Sequence, residues 1–164
     1  MTSGTVSTAR STEHTSTRPV ERGAEVQAIG RSRGGPTTKV HLVVDALGLP
    51  VVFVVTGGQR HDSQPAQALI VAASPKCLLA DKAYDSNQIR ELLSHLEAVA
   101  CIPPKANRKV KSAFDKEVYK ARNAVECAFN LLKQARRFAT RYEKTLRNYV
   151  SVVAIGCALL WLRI

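Results

Sequence analysis

The stretch KVHLVVDALGLPVVFVVTGG, residues 39–58, decides how the chain is read. Two apolar, β-branched runs flank the short segment ALGLP. Val40, Leu42, Val43 and Val44 make the first run strand-like, and PVVFVVTGG makes a second strand. Gly48 and Pro50 break the pattern between them, so the pair reads as a hairpin. Working outward, HDSQPAQALIVAAS has a capping candidate in Asp62 or Ser63 and Pro65 in its first turn, which predicts a helix. KCLLAD is a short buried strand that ends at Asp81. SNQIRELLSHLEA repeats Ile89, Leu92, Leu93 and Leu96 at helical spacing, and VACIPP is a further strand stopped by two prolines. A basic loop, KANRKVKSAF, leads into one long helix over residues 115–139, and a last helix covers 146–162. Strands alternating with helices predict an α/β fold: a mixed sheet with flanking helices.

Upstream, residues 1–33 are rich in Thr, Ser, Arg and Glu with few large apolar side chains, and the expectation is a poorly ordered N-terminal segment. The single domain then runs over 34–164, long enough to bury a core. Apolar content is 45%, ordinary for a globular protein. The net charge is +11, and it is concentrated: residues 103–147 hold 13 of the 24 basic side chains but only 4 of the 13 acidic ones. Such a concentration points to a polyanionic partner, nucleic acid first and an anionic membrane surface second. A well-solvated cationic face is the plainer reading of the same charges.

Cys77, Cys101, Cys127 and Cys157 are widely separated, with no C-x-x-C pair. Disulfide and zinc frameworks are poor readings, and a reducing cytoplasm fits. The run YVSVVAIGCALLWLRI, residues 149–164, is shorter than the ~20 apolar residues of a spanning helix. It reads as a buried core helix, so no membrane partner is expected.

Two acids stand out. Asp81 closes an apolar strand, where a rigid scaffold presents a side chain to solvent. Glu126 stands in a basic helix among apolar neighbours. A helix packed on the sheet brings two such carboxylates together, and carboxylates at one point bind Mg²⁺ or Mn²⁺. The competing readings are structural: Asp81 caps its turn, and Glu126 pairs with Arg122 or Lys133. Asp45, Asp62 and Asp85 read as turn or cap residues, and His41, His61 and Lys82 as secondary candidates.

Tyr119, Arg122, Glu126 and Lys133 form the pattern Y-x-x-R-x-x-x-E-x-x-x-x-x-x-K. Together with GRSRGGPTTKVHLVVDALGLP, TGGQRHDS, LLADKAYDS, IPPKANRK and RRFATRYEK, in this order, it resembles the catalytic part of bacterial insertion-sequence DDE transposases of the insertion-sequence-five and insertion-sequence-four type. The resemblance covers residues 28–164. It implies a ribonuclease H-like domain, with Asp81 and Glu126 as the second and third catalytic, metal-binding acids. It also implies DNA transposition, in which transposon ends are cleaved and the freed 3′-hydroxyl attacks a target. Steps of 3, 4 and 7 place Tyr119, Arg122, Glu126 and Lys133 on one helical face. Tyr119, Arg122 and Lys133 are candidate DNA-binding residues, with Arg136, Arg137, Arg141 and Lys144 continuing the basic track.

The sequence departs from the family at the first acid. Ser3-Gly4-Thr5 stands where the family has Asp-Gly-Thr, with Val6 and Ala9 in step. The expected fold therefore lacks a proper first strand, and two metal ions are expected only if a third carboxylate is supplied. The resemblance also implies an upstream DNA-recognition region, and the expectation is a downstream part of such a protein, from a decayed, truncated or frameshift-fused reading frame. The expected partners are transposon-end DNA and a second copy or an intact transposase, in a cytoplasmic, nucleoid-associated setting. The rival reading is a catalytically dead DNA-binding remnant that inhibits an intact transposase.

Overall fold

A computed structural model describes residues 3–13, 26–32, 35–108 and 112–162, with backbone alone for 3–13 and 32. The elements in order are β1 (Ser3–Glu13), β2 (Gly30–Ser32), β3 (Gly35–Val44), β4 (Pro50–Gly57), α1 (Ser63–Ala73), β5 (Cys77–Leu79), a 3-10 turn (Lys82–Tyr84), α2 (Asn87–His95), β6 (Val99–Cys101), α3 (Lys116–Lys120), α4 (Asn123–Gln134), α5 (Arg136–Ala139) and α6 (Leu146–Trp161). The strands form one mixed sheet in the order β2-β3-β1-β5-β6, with β4 also paired to β3. One half, β1, β3 and β4, is antiparallel, and β1-β5-β6 is parallel.

The hairpin forms as expected. Asp45 closes its turn by accepting from the Leu47 and Leu49 N–H groups, both at 2.9 Å, and Gly48 supplies the left-handed φ of 81°. Every residue of β3 from Val40 to Val44 is buried because helices cover both faces of the sheet. Val40, Leu42 and Val44 meet Val125, Phe129 and Leu132 of α4, Phe138 of α5, and Tyr149, Val153 and Leu160 of α6. Val43 belongs to the opposite layer, with Leu69 and Ile70 of α1, Leu78 of β5, and Ile89 and Leu93 of α2. Fully burying each such Val, Leu or Phe contributes roughly 1.5–3 kcal/mol.

Three expectations are corrected here. The segment expected to be poorly ordered contains β1 and β2, and the first strand is present at the sheet's centre. Strand β1 pairs antiparallel with β3 and parallel with β5, and two long-range ladders order a Ser/Thr-rich segment that has little local preference of its own. Residues 26–32 are pinned as well: the Ala28 carbonyl accepts from Thr38 Oγ1 at 2.8 Å, and Gln27 Oε1 from the Leu146 N–H at 2.6 Å. Next, the long helix is broken twice. At Ala121 and Arg122 the amides bond only three residues back, to Val118 and Tyr119. At Ala135 the backbone is extended, φ −77° and ψ 110°, and the turn carries Phe138 into the core, 1% exposed. That burial outweighs the helical hydrogen bonds given up. Lastly, Asp62 makes no capping hydrogen bond and instead pairs with Lys39 Nζ at 3.0 Å.

The last helix lies where it was expected, with Tyr149, Val153, Cys157 and Leu160 buried. Among the described residues no helix is long and apolar enough to cross a membrane. All four cysteines are free.

Candidate active site

Asp81 lies just beyond the carboxyl end of β5, one residue after Ala80, whose N–H continues the ladder to the Cys101 carbonyl at 3.4 Å. Its backbone is extended and its carbonyl accepts from Tyr84 N–H at 2.9 Å, which closes the 3-10 turn. Its side chain makes no capping hydrogen bond, so the half-buried carboxylate is not used up by the turn.

Helix α4 crosses the sheet over β1 and β3, and β1 neighbours β5. The amphipathic pattern of α4 turns Val125, Ala128, Phe129 and Leu132 inward and leaves Glu126 half-exposed. Glu126 accepts from Arg122 one turn back. The Arg122 guanidinium also lies over the Tyr119 ring, 5.8 Å from its centroid, and that ring meets Phe114 edge-on at 5.5 Å. Despite the break before α4, three of the four residues read as one face thus stand together.

Electrostatics draws Asp81 into the same group. Burial works against the charge of Arg122, but Glu126, Tyr119 and Asp81 more than offset it and hold its proton more tightly than usual. Burial likewise raises the pKa of Tyr119, with Arg122 opposing and Asp81 adding to the rise. Glu126 is thus paired with Arg122, and Asp81 lies near enough to act on the charge of the same guanidinium.

The remaining expected site residues separate into two groups. Lys133 is half-buried on α4, whereas Arg136, Arg137 and Lys144 are exposed, Arg137 lying 3.4 Å from Glu143. Arg141, expected on the DNA track, is fully buried. It donates to Thr38 Oγ1 at 2.8 Å, to the Ala28 carbonyl at 3.4 Å and to the Glu143 carbonyl at 3.0 Å, and stacks 5.0 Å from the Tyr149 centroid. It is a structural clamp with no surface to offer a ligand. His41 is buried against Thr56 Oγ1 at 2.8 Å, and burial lowers its pKa to about 4. His61 bonds locally to Ser63.

The backbone register also bears on the missing acid. β1 and β5 pair Ser3 with Cys77 and Thr5 with Leu79, so two further residues bring position 7 level with Asp81. Ser3 lies four residues short of that level, ~13 Å along the strand at ~3.3 Å per residue. Among the described residues no group of three or more Asp, Glu, His and Cys side chains converges. Carboxylates such as those of Asp81 and Glu126 are hard oxygen donors of the kind that Mg²⁺ or Mn²⁺ takes.

One residue was not legible as part of this neighbourhood. Asp85, read as a turn residue, is a buried hub that ties Arg90, the Lys105 N–H and Arg108 together. Two of its partners lie 20 or more residues away, so local spacing carries no signal of them.

Comparison with known proteins places the chain. The transposase DDE domain family matches residues 7–161. The chain is 40% identical over 129 residues to a protein of Brucella ovis named as a transposase for insertion sequence element IS6501, covering 77% of this chain and 99% of the relative. It is 27% identical over 140 residues to a protein of Burkholderia cepacia named as a transposase for insertion sequence element IS402, covering 78% of this chain and 64% of the relative. With nearly its whole described length matched, the chain belongs to the transposase DDE domain family.

Proposed function

We propose that this chain acts in DNA transposition by binding transposon-end DNA, with Asp81 and Glu126 as the surviving metal-binding acids of a cleavage and strand-transfer site. The observation that supports the reading is the ion pair of Glu126 with Arg122, a guanidinium whose charge Asp81 also stabilises. The order β4-β3-β1-β5-β6, antiparallel then parallel, supports a ribonuclease H-like arrangement of the sheet. DNA contacts fall to Tyr119, Arg122, Lys133, Arg136, Arg137 and Lys144, and Arg141 is withdrawn from that set.

When bound, a divalent ion polarises a phosphodiester for attack. The chain's own contribution is to hold two oxygen donors at a strand end and a helix face, and to neutralise them with Arg122 until an ion or phosphate takes its place. Without a third carboxylate the isolated chain binds DNA but cleaves it weakly or not at all. The missing acid also favours the second reading, a DNA-binding remnant that occupies ends or forms mixed oligomers with an intact transposase.

Titration with Mn²⁺, followed by calorimetry, tests the site. One equivalent of binding is expected, weakened at least tenfold by Asp81→Asn and by Glu126→Gln. Unchanged affinity in both variants sinks the shared-site reading, and vigorous Mg²⁺-dependent nicking by the parent chain sinks the claim of weak catalysis.

A further inference from the structure

Next to Asp81 the surface carries a second feature. A cavity of about 260 Å³ is lined by Asp85, Ser86, Asn87, Lys105, Asn107 and Arg108. It opens where the basic loop after β6 folds over the first turn of α2. Asp81 and Asp85 are joined by the 3-10 turn alone, which sets this notch close to Asp81 along the chain.

The charge arrangement is specific. Asp85 is a carboxylate with no exposed side-chain surface, and it is spent inward. Its Oδ1 accepts from Arg90 Nε at 2.7 Å and lies 3.5 Å from Arg108, and its Oδ2 accepts from the Lys105 N–H at 2.9 Å. Arg90 donates further to the Ile102 carbonyl at 3.1 Å, which fixes the loop's base. Arg108 forks onto Asn87 Oδ1 at 2.6 and 3.2 Å, which uses part of a five-donor guanidinium. Two guanidiniums and one backbone amide thus share a single buried anion, and the Lys105 side chain adds a further cation to the cavity lining. The α2 N-terminus adds its own positive end on the same side.

We infer that this notch is a phosphodiester-binding subsite, with Lys105 and Arg108 as its ligands and Asp85 as the positioning residue that locks their loop onto α2. The inference rests on the DNA-binding reading above and names where a backbone phosphate sits relative to Asp81. The chemistry favours phosphate: the lining offers a planar fork, an ammonium and amide donors, the set that matches its oxygens.

Two measurements test it. Duplex DNA is titrated by fluorescence anisotropy over a series of salt concentrations. The double variant Lys105→Gln with Arg108→Gln is expected to flatten the slope of log affinity against log salt by about 1, one phosphate contact's worth. Asp85→Asn is expected to flatten it likewise; a merely structural role would lower the melting temperature and leave the slope alone. In the parent protein, lysine acetylation read by mass spectrometry should show Lys105 protected by duplex, and Lys76, at the far end of β5, unprotected. That arm needs no variant to fold. If the parent binds duplex but Lys105 stays unprotected or the slope is unmoved, the notch is wrong and the DNA reading survives. Equal protection by inorganic phosphate at matched ionic strength marks a free-anion site and overturns the assignment to DNA. A parent chain that binds no duplex removes both.

Discussion

Arg122 and Arg141 belong to one basic stretch, yet the fold uses them in opposite ways. Arg122 stands at the head of α4, partly exposed, paired with Glu126 and felt by Asp81. Arg141 lies past the turn at Ala135, wholly enclosed by Thr38, Ala28, Glu143 and Tyr149. Both are cations 19 positions apart on a segment rich in them, and neither composition nor periodicity separates them. The difference teaches that a count of charges measures how much a segment can attract an anion only after burial has removed those that serve the core. In this chain the basic track ends in a clamp: Arg141 joins the segment before β2 to the segment before α6.

The largest effect that tests this contrast is on stability. Arg141→Met is expected to cost about 3 kcal/mol in denaturant unfolding, because it removes three hydrogen bonds and the contact with Tyr149 from an enclosed site. Arg122→Ala is expected to cost less than about 1 kcal/mol, since its partner Glu126 is half-exposed. DNA affinity should move the other way, falling for Arg122→Ala and holding for Arg141→Met at temperatures where that variant is folded. Equal stability losses for the two would erase the distinction.

A second test uses a basic group that solves burial differently. Arg141 keeps its charge inside, although burial pulls its pKa below the usual arginine range against the opposing pull of Tyr149 and Glu143. His41, three positions from Thr38 on β3, is buried and carries a pKa of about 4. The folded state therefore stays neutral while the unfolded chain takes up a proton between pH 6.5 and 4. Stability is full above pH 6.5 and falls as pH drops towards 4, by about 3 kcal/mol in all. His41→Gln should remove this part of the acid sensitivity, and unfolding curves at pH 7, 5.5 and 4.5 check it. A parent and variant with parallel pH profiles would show His41 to be accessible to protons in the fold.

The smallest expected effect concerns the open side of the comparison. If the ladder of β1 with β5 sets the site, Ser7→Asp puts a carboxylate level with Asp81 and tightens Mn²⁺ binding about tenfold, roughly 1.4 kcal/mol. Ser3→Asp, the replacement that the family motif suggests, should leave the affinity unchanged. The reverse outcome would mean that the strand slides by four residues in the metal-bound state.

Much of the architecture was readable because it is local. The hairpin announces itself by two β-branched runs about a Gly-containing turn, and α2 by Ile89 and Leu93 at helical spacing with Ser86 accepting from the Ile89 N–H. The family was legible through its spaced motifs, among them those around Asp81 and Glu126. Three features were not. Strand β1 is ordered by partners at positions 37–44 and 77–79, the helix breaks at Ala121 and Ala135 contain no proline or glycine, and Asp85 gathers two guanidiniums and a backbone amide from α2 and the loop after β6.

The amino-acid sequence by itself determined the hairpin, the strand–helix alternation and the family, because periodicity, turn residues and spaced motifs are properties of neighbouring positions. Only the tertiary structure decided that Ser3–Glu13 lies at the sheet's centre, that Arg141 is enclosed while Arg122 is available, and that Asp85 organises the basic loop. Those outcomes depend on which distant surfaces exclude water together, and exclusion of water is what changes a cation from a ligand for DNA into a strut of the core.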